Sequence, residues 1–168
     1  MLAMMIAAVT LQTTEPLWQN IEAGMTPEQV TALYPEARVR RGKIEIRDFR
    51  PLVNCPSTVV IDMAPNVTGI EIRGAGSLTG GCAVELRDAL VTRYGRPVDQ
   101  ERDQNLFAGG AFGWVTQPTE SYYWVVNGVA MRFQRRENQG LMGASWTMEY
   151  VPASRVEAEV ERQRNVGL

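Results

Sequence analysis

The chain has 168 residues, 45% of them hydrophobic, enough to bury the core of one domain. Seventeen basic and nineteen acidic residues leave a formal net charge of -2, a balance that argues against nucleic-acid binding by the whole chain. Histidine is absent, which excludes a histidine general base, a His-containing triad and a histidine metal ligand.

The chain opens with "MLAMMIAAVTLQTTEP", apolar from Met1 to Val9 and uncharged before Glu15. This resembles the apolar stretch of a secretory signal without its basic leader, so residues 1–13 are expected to lie outside the folded core and to direct export. No run of about 18 apolar residues predicts a transmembrane helix. No cysteine follows the apolar run, so no lipid anchor is expected.

Leu17, Trp18 and Ile21 in "EPLWQNIEAG" have helical spacing with Gly24 as a stop, which predicts a first short helix. "GMTPEQVTALYP" predicts a second. Thr26 takes the N-cap, Pro27 the first helical position and Gln29 the third, which makes a capping box, and Met25 can staple onto Val30. Pro35 ends that helix.

"VRRGKIEIRDF" reads as strand. "STVVIDMAPNVTGIEIRG" reads as a hairpin turning at Ala64-Pro65-Asn66, with Val59, Ile61 and Met63 alternating before the turn and Ile70 and Ile72 after it. "GGCAVELRDALVTRYGRPV" predicts a longer helix with Ala83, Leu86, Ala89, Leu90 and Tyr94 on one stripe, stopped by Gly95 and Pro97. In "ESYYWVVNGVAMRFQRR", Asn127-Gly128 is the favoured type I′ pair. Pairing across it sets Val126 opposite Val129, Trp124 opposite Met131 and Tyr122 opposite Phe133, all on one face. "SWTMEYV" adds a last strand with Trp146, Met148 and Tyr150 inward. The final "PASRVEAEVERQRNVGL" carries a capping box at Ser154 and Glu157, but few apolar residues, and reads as a charged helix or tail over residues 152–168.

These elements predict an α+β fold in which short helices pack on antiparallel sheet. The domain runs over residues 14–151. Its two halves, about 14–78 and 79–151, each place helix before strands and suggest a degenerate tandem repeat.

"I-E-A-G-M-T-P-E-Q-V" (Ile21 to Val30) resembles the opening of the small outer-membrane assembly lipoprotein family, whose relatives share the fold of β-lactamase-inhibitory protein. "Y-G-R-P" (Tyr94 to Pro97) is similar to the helix-ending segment of that family. The resemblance implies an exported α+β binding or scaffold module whose helices pack on antiparallel sheet. It transfers no partner and no binding residue.

Export makes a disulfide between Cys55 and Cys82 the expected state of the two cysteines, with buried free thiols as the alternative. "IEIRGAGSLTGGCAVELRDAL" has the strand–glycine loop–helix order of a phosphate site. Thr79 nevertheless stands where the third fingerprint glycine belongs, and Cys82 where a P-loop needs lysine. No cofactor is expected. Glu85 and Asp88 share a helix face, and a pairing with Arg87 or Arg93 explains them better than an acid/base dyad.

Two segments remain as candidate partner-binding surfaces. Arg38, Arg40 and Arg41 head the one basic cluster, suited to an acidic partner or an anionic surface; a solvated edge strand is the structural alternative. Phe107, Phe112 and Tyr123 lie in the aromatic segment and are the residue types richest at interfaces. The expected role is therefore a non-enzymatic, periplasmic or secreted module that contacts another envelope protein. A secreted enzyme inhibitor is the alternative, and a small hydrolase is less favoured still.

Overall fold

The structure, a computed structural model, describes residues 16–75, 81–108, 114–137 and 144–157; for residues 75, 103–108, 114–117 and 137 it describes the backbone only. The apolar start at residues 1–13 and the glycine loop at 76–80 fall outside the described residues.

Pro16–Trp18 (β1) and Ile21–Glu22 (β2) form a two-stranded ladder, not the helix that their spacing predicts. Gln19 turns the chain there with φ 49°, and Leu17, Trp18 and Ile21 are all buried. Apolar positions this few satisfy a tight hairpin as well as a helical turn. Pro27–Leu33 (α1) follows, with the expected capping box: Gln29 N–H donates to Thr26 Oγ1, and Thr26 N–H to Gln29 Oε1. The Glu28 carboxyl is held below its ordinary value, first by a backbone N–H and then by the Thr26 hydroxyl. Val30 is fully buried on the inner side of this single turned segment.

Next come Arg38–Arg40 (β3), Lys43–Phe49 (β4), Ser57–Met63 (β5), Val67–Ala75 (β6), Gly81–Tyr94 (α2), Asp99–Ala108 (β7), Trp114–Val126 (β8), Val129–Glu137 (β9) and Ala144–Pro152 (β10). "VRRGKIEIRDF" is thus two strands, turning at Arg41 and Gly42, both with positive φ. Residues 153–157 make a helical turn. It begins one residue ahead of Ser154, so that serine is not its N-cap. Arg155 ties the turn back by donating to the Thr68 carbonyl at 3.0 Å.

Strands β3 to β10 form one antiparallel sheet in the order β3-β4-β5-β6-β10-β9-β8-β7. Each half of the chain contributes a helix and then four strands, and the halves meet through their last strands, β6 and β10. The fold is α+β, with short helices on one antiparallel sheet. The register at Asn127-Gly128 is the expected one, Val126 to Val129, Trp124 to Met131 and Tyr122 to Phe133. Asn127 (φ 50°) and Gly128 (φ 72°) supply the left-handed pair a type I′ turn requires. The hairpin turning at Ala64-Pro65 also forms, around a cis peptide bond.

One face of the sheet is apolar. Ile44, Ile46, Val59, Ile61, Ile70, Ile72, Phe133, Trp146 and Met148 are each at most 4% exposed and form the core with Val30, Leu86 and Leu90 of the helices. Ala89, placed on the α2 stripe by spacing, is exposed at its margin. The opposite face, where Val60, Thr119 and Ser121 are buried, is otherwise more open and carries ion pairs along and across strands: Lys43 to Asp62, Arg73 to Glu71, and Arg132 to Glu149. Pairs this exposed contribute about 1 kcal/mol at most. Cys55 and Cys82 form a disulfide with Cα atoms 5.6 Å apart, which pins the first turn of α2 to the segment before β5.

Candidate functional site

The two expected partner-binding surfaces lie at opposite ends of the sheet. β3 is one outer strand and β7 the other, seven strand spacings apart. At the ordinary spacing that is about 34 Å, too far for one compact patch.

At the first end, residues 38–43 are exposed without interruption. All three residues of β3 face solvent, including Val39 at 58% exposure. Register sets Arg38 opposite Glu45 but Arg40 directly opposite Lys43. Like charges directly opposite destabilise a strand pair. Lys43 is offset by Asp62 at 2.8 Å on the next strand, while Arg40 and Arg41 form no ion pair with a described residue. The result is a cationic tip on a thin edge hairpin.

At the other end, Tyr123 stands on the solvated face of β8, half-buried, and its hydroxyl donates to Glu101 Oε2 at 2.9 Å. Burial, and then the Glu101 contact, raise its phenol above the ordinary value. Phe107 lies in β7 with its backbone opposite Val115. Phe112 falls outside the described residues. Among the described residues β8 pairs with β9 from Thr119 onward, while its pairing with β7 reaches back to Trp114.

A third feature has no local sequence signal. Two helices, each about 10 Å across, cannot roof an eight-stranded sheet. On the apolar face, between α2 and the β1 segment, lies a cleft of about 740 Å³. Its floor is Ile72, Met131, Trp146, Met148 and Tyr150, with Leu86 and Leu90 of α2 on one side. The other side is the β1 segment and the turn after β4. Here Trp18 stacks on Tyr34 (6.1 Å between ring centres) and meets Phe49 edge-on (5.0 Å). Arg50, Arg93, Gln19 and Asn127, all exposed, stand at the rim, and no carboxylate is among the described residues that line the cleft. The Tyr150 phenol is pushed well above its ordinary value by burial, with Tyr94 adding and Arg93 opposing, and donates to Met148 Sδ at 3.2 Å. The indole N–H of Trp146, a residue 1% exposed, meets no acceptor among the described residues.

Among the described residues, the acidic pair and the cysteines weighed as chemical groups do not converge on these features. Glu85 and Asp88 are exposed on α2, and Asp88 is taken by Arg87 at 2.7 Å. Both cysteines are consumed in the disulfide. Among the described residues no three His, Cys, Asp or Glu side chains converge as metal ligands. β6, the strand before the glycine loop, is flanked by β5 and β10 and antiparallel to both, so it is not part of a parallel βαβ phosphate unit. Comparison with family models, curated proteins and solved structures yields no match.

Proposed function

We propose that this protein is a non-enzymatic, exported binding module of the bacterial cell envelope that presents the β3–β4 edge hairpin to an acidic surface on another envelope protein. The observation that carries this reading is Arg40 directly opposite Lys43 on a strand whose residues are all exposed. Folding gains nothing from that like-charge pair, whereas an acidic partner gains several closely spaced cations from Arg38, Arg40 and Arg41. The disulfide fits a compartment where thiols oxidise. The missing histidine and the absence of a free thiol support a binding role over catalysis. The resemblance of Ile21 to Val30 to the outer-membrane assembly family points the same way.

The test is capture from envelope extract with immobilised protein. The expected result is one partner that is retained by the wild-type chain, released by about 0.5 M salt as its Debye screening shortens, and lost from Arg38→Ser/Arg40→Ser/Arg41→Ser. Retention by the triple variant would overturn the assignment.

A further inference from the structure

β3 is an outer strand and pairs only with β4 among the described residues, so its far edge has no described strand beside it. The alternation of ladder bonds decides what that edge offers. The turn at Arg41 (φ 47°) and Gly42 (φ 74°) is a two-residue turn of the I′ kind, which closes through a hydrogen-bonded pair of Arg40 and Lys43. On the other side of β4, the Gly42 carbonyl accepts from the Met63 N–H at 3.1 Å, the phase that turns Ile44 toward β5. Val39 stands directly opposite Ile44, so its N–H and C=O point away from β4, to the free edge.

The side chains alternate to match. Val39 heads the row Ile44, Ile61 and Ile70 across the apolar face. Those three are at most 2% exposed, whereas Val39 is 58% exposed, so the apolar row ends uncovered. Arg38 and Arg40 flank Val39 on the opposite face. Arg40 stands opposite Lys43, and Arg38 opposite Glu45, which Arg47 already approaches at 3.6 Å. A second copy of this edge is a poor occupant. Antiparallel pairing about Val39 would set each Arg38 against an Arg40, like charges directly opposite.

We propose that the partner supplies an extended segment with an apolar residue between two carboxylates, and that this segment adds to β3 as an antiparallel ninth strand; the proposal rests on the binding-module reading above. The apolar residue lies opposite Val39, exchanges both backbone bonds with it and covers the end of the isoleucine row. The carboxylates fall opposite Arg38 and Arg40 on the other face, within reach of charge-assisted hydrogen bonds. The backbone bonds hold the strand, and the alternating side chains select it.

Fluorescence polarisation with a labelled peptide of alternating glutamate and valine tests this. The expected result is saturable binding that weakens about tenfold when the valine amides are N-methylated, because the donor to Val39 is lost and a methyl group stands in the ladder. A similar loss is expected for a peptide of equal composition with its glutamates and valines in separate blocks. It is also expected for Val39→Pro with circular dichroism unchanged, since proline removes the outward N–H and no ladder bond to β4. No saturable binding, or equal affinity for the alternating, methylated and block peptides, would overturn strand addition. If those equal affinities all vanish in Arg38→Ser/Arg40→Ser/Arg41→Ser, charge alone recruits the partner, and the binding-module reading outlives the added strand. If the alternating peptide binds the triple variant unchanged, both fail.

Discussion

Trp146 of β10 stands directly opposite Gly74 of β6, and its indole occupies the space that a Cβ at position 74 would need. The contact sits on the seam between the two halves of the sheet, where only glycine leaves the indole its place over a neighbouring strand. Gly74→Val is therefore expected to displace Trp146 and to destabilise the fold by about 2 kcal/mol, the scale of overpacking in a filled core. Urea denaturation measures it. An unchanged midpoint would show that the indole has room elsewhere.

The turn at Asn127-Gly128 yields a second expectation. Gly128 has φ 72° with open space around it, so substitution is opposed by backbone conformation and not by crowding. Gly128→Val should cost more than about 1 kcal/mol, and Gly128→Asn, which tolerates the left-handed region, should cost visibly less. Equal losses in the two variants would point to a steric cause.

Removing the disulfide by Cys55→Ala/Cys82→Ala is expected to cost about 3 kcal/mol in the chain-entropy model, given a sequence separation of 27. Thermal melts of the wild-type chain with and without reductant give the same comparison without mutation. Coincident melts would mean that the packing of α2 holds by itself.

Stability should also fall in alkali. The Tyr150 phenol is raised by burial, and Tyr34 and Tyr123 are raised less deeply in the structure. In each case the folded chain keeps its proton at pH values where the unfolded chain has released it. The stabilisation is full below the ordinary tyrosine value of about 10 and is lost as pH rises above it. Tyr150→Phe removes only a bond to sulfur, so at pH 7 it should cost less than about 1 kcal/mol. Above pH 10 it should flatten the decline. A decline of unchanged slope in the variant would assign the effect to other groups.

Much of the sheet was legible because its instructions are local. Tyr122, Trp124, Val126, Val129, Met131 and Phe133 alternate around an Asn-Gly pair, and turn geometry then fixes their register. Thr26, Pro27 and Gln29 mark the start of α1 within four residues. β7 was not legible. Its residues "DQERDQNLFA" are polar over the first seven positions, as an outer strand with one solvated edge permits, so no alternation marks it. β1 and β2 are so short that Leu17, Trp18 and Ile21 fit a helical spacing equally well. The cleft is beyond any local pattern. Its walls come from residues near 17, 50, 90 and 146, and only the sheet order brings them together.

The strand order has a consequence for how the molecule holds together when cut. Each half closes on itself through hairpins and is joined to the other half's strands by the ladder between β6 and β10. Two covalent routes cross that boundary: the chain between Ala75 and Gly81, and the bridge from Cys55 to Cys82. A protease nick in the first route leaves the second intact, so the nicked molecule still migrates as one species until a reductant frees two fragments. The bridge thus makes the joining segment dispensable for keeping the halves together, and frees its sequence to vary without the two halves parting.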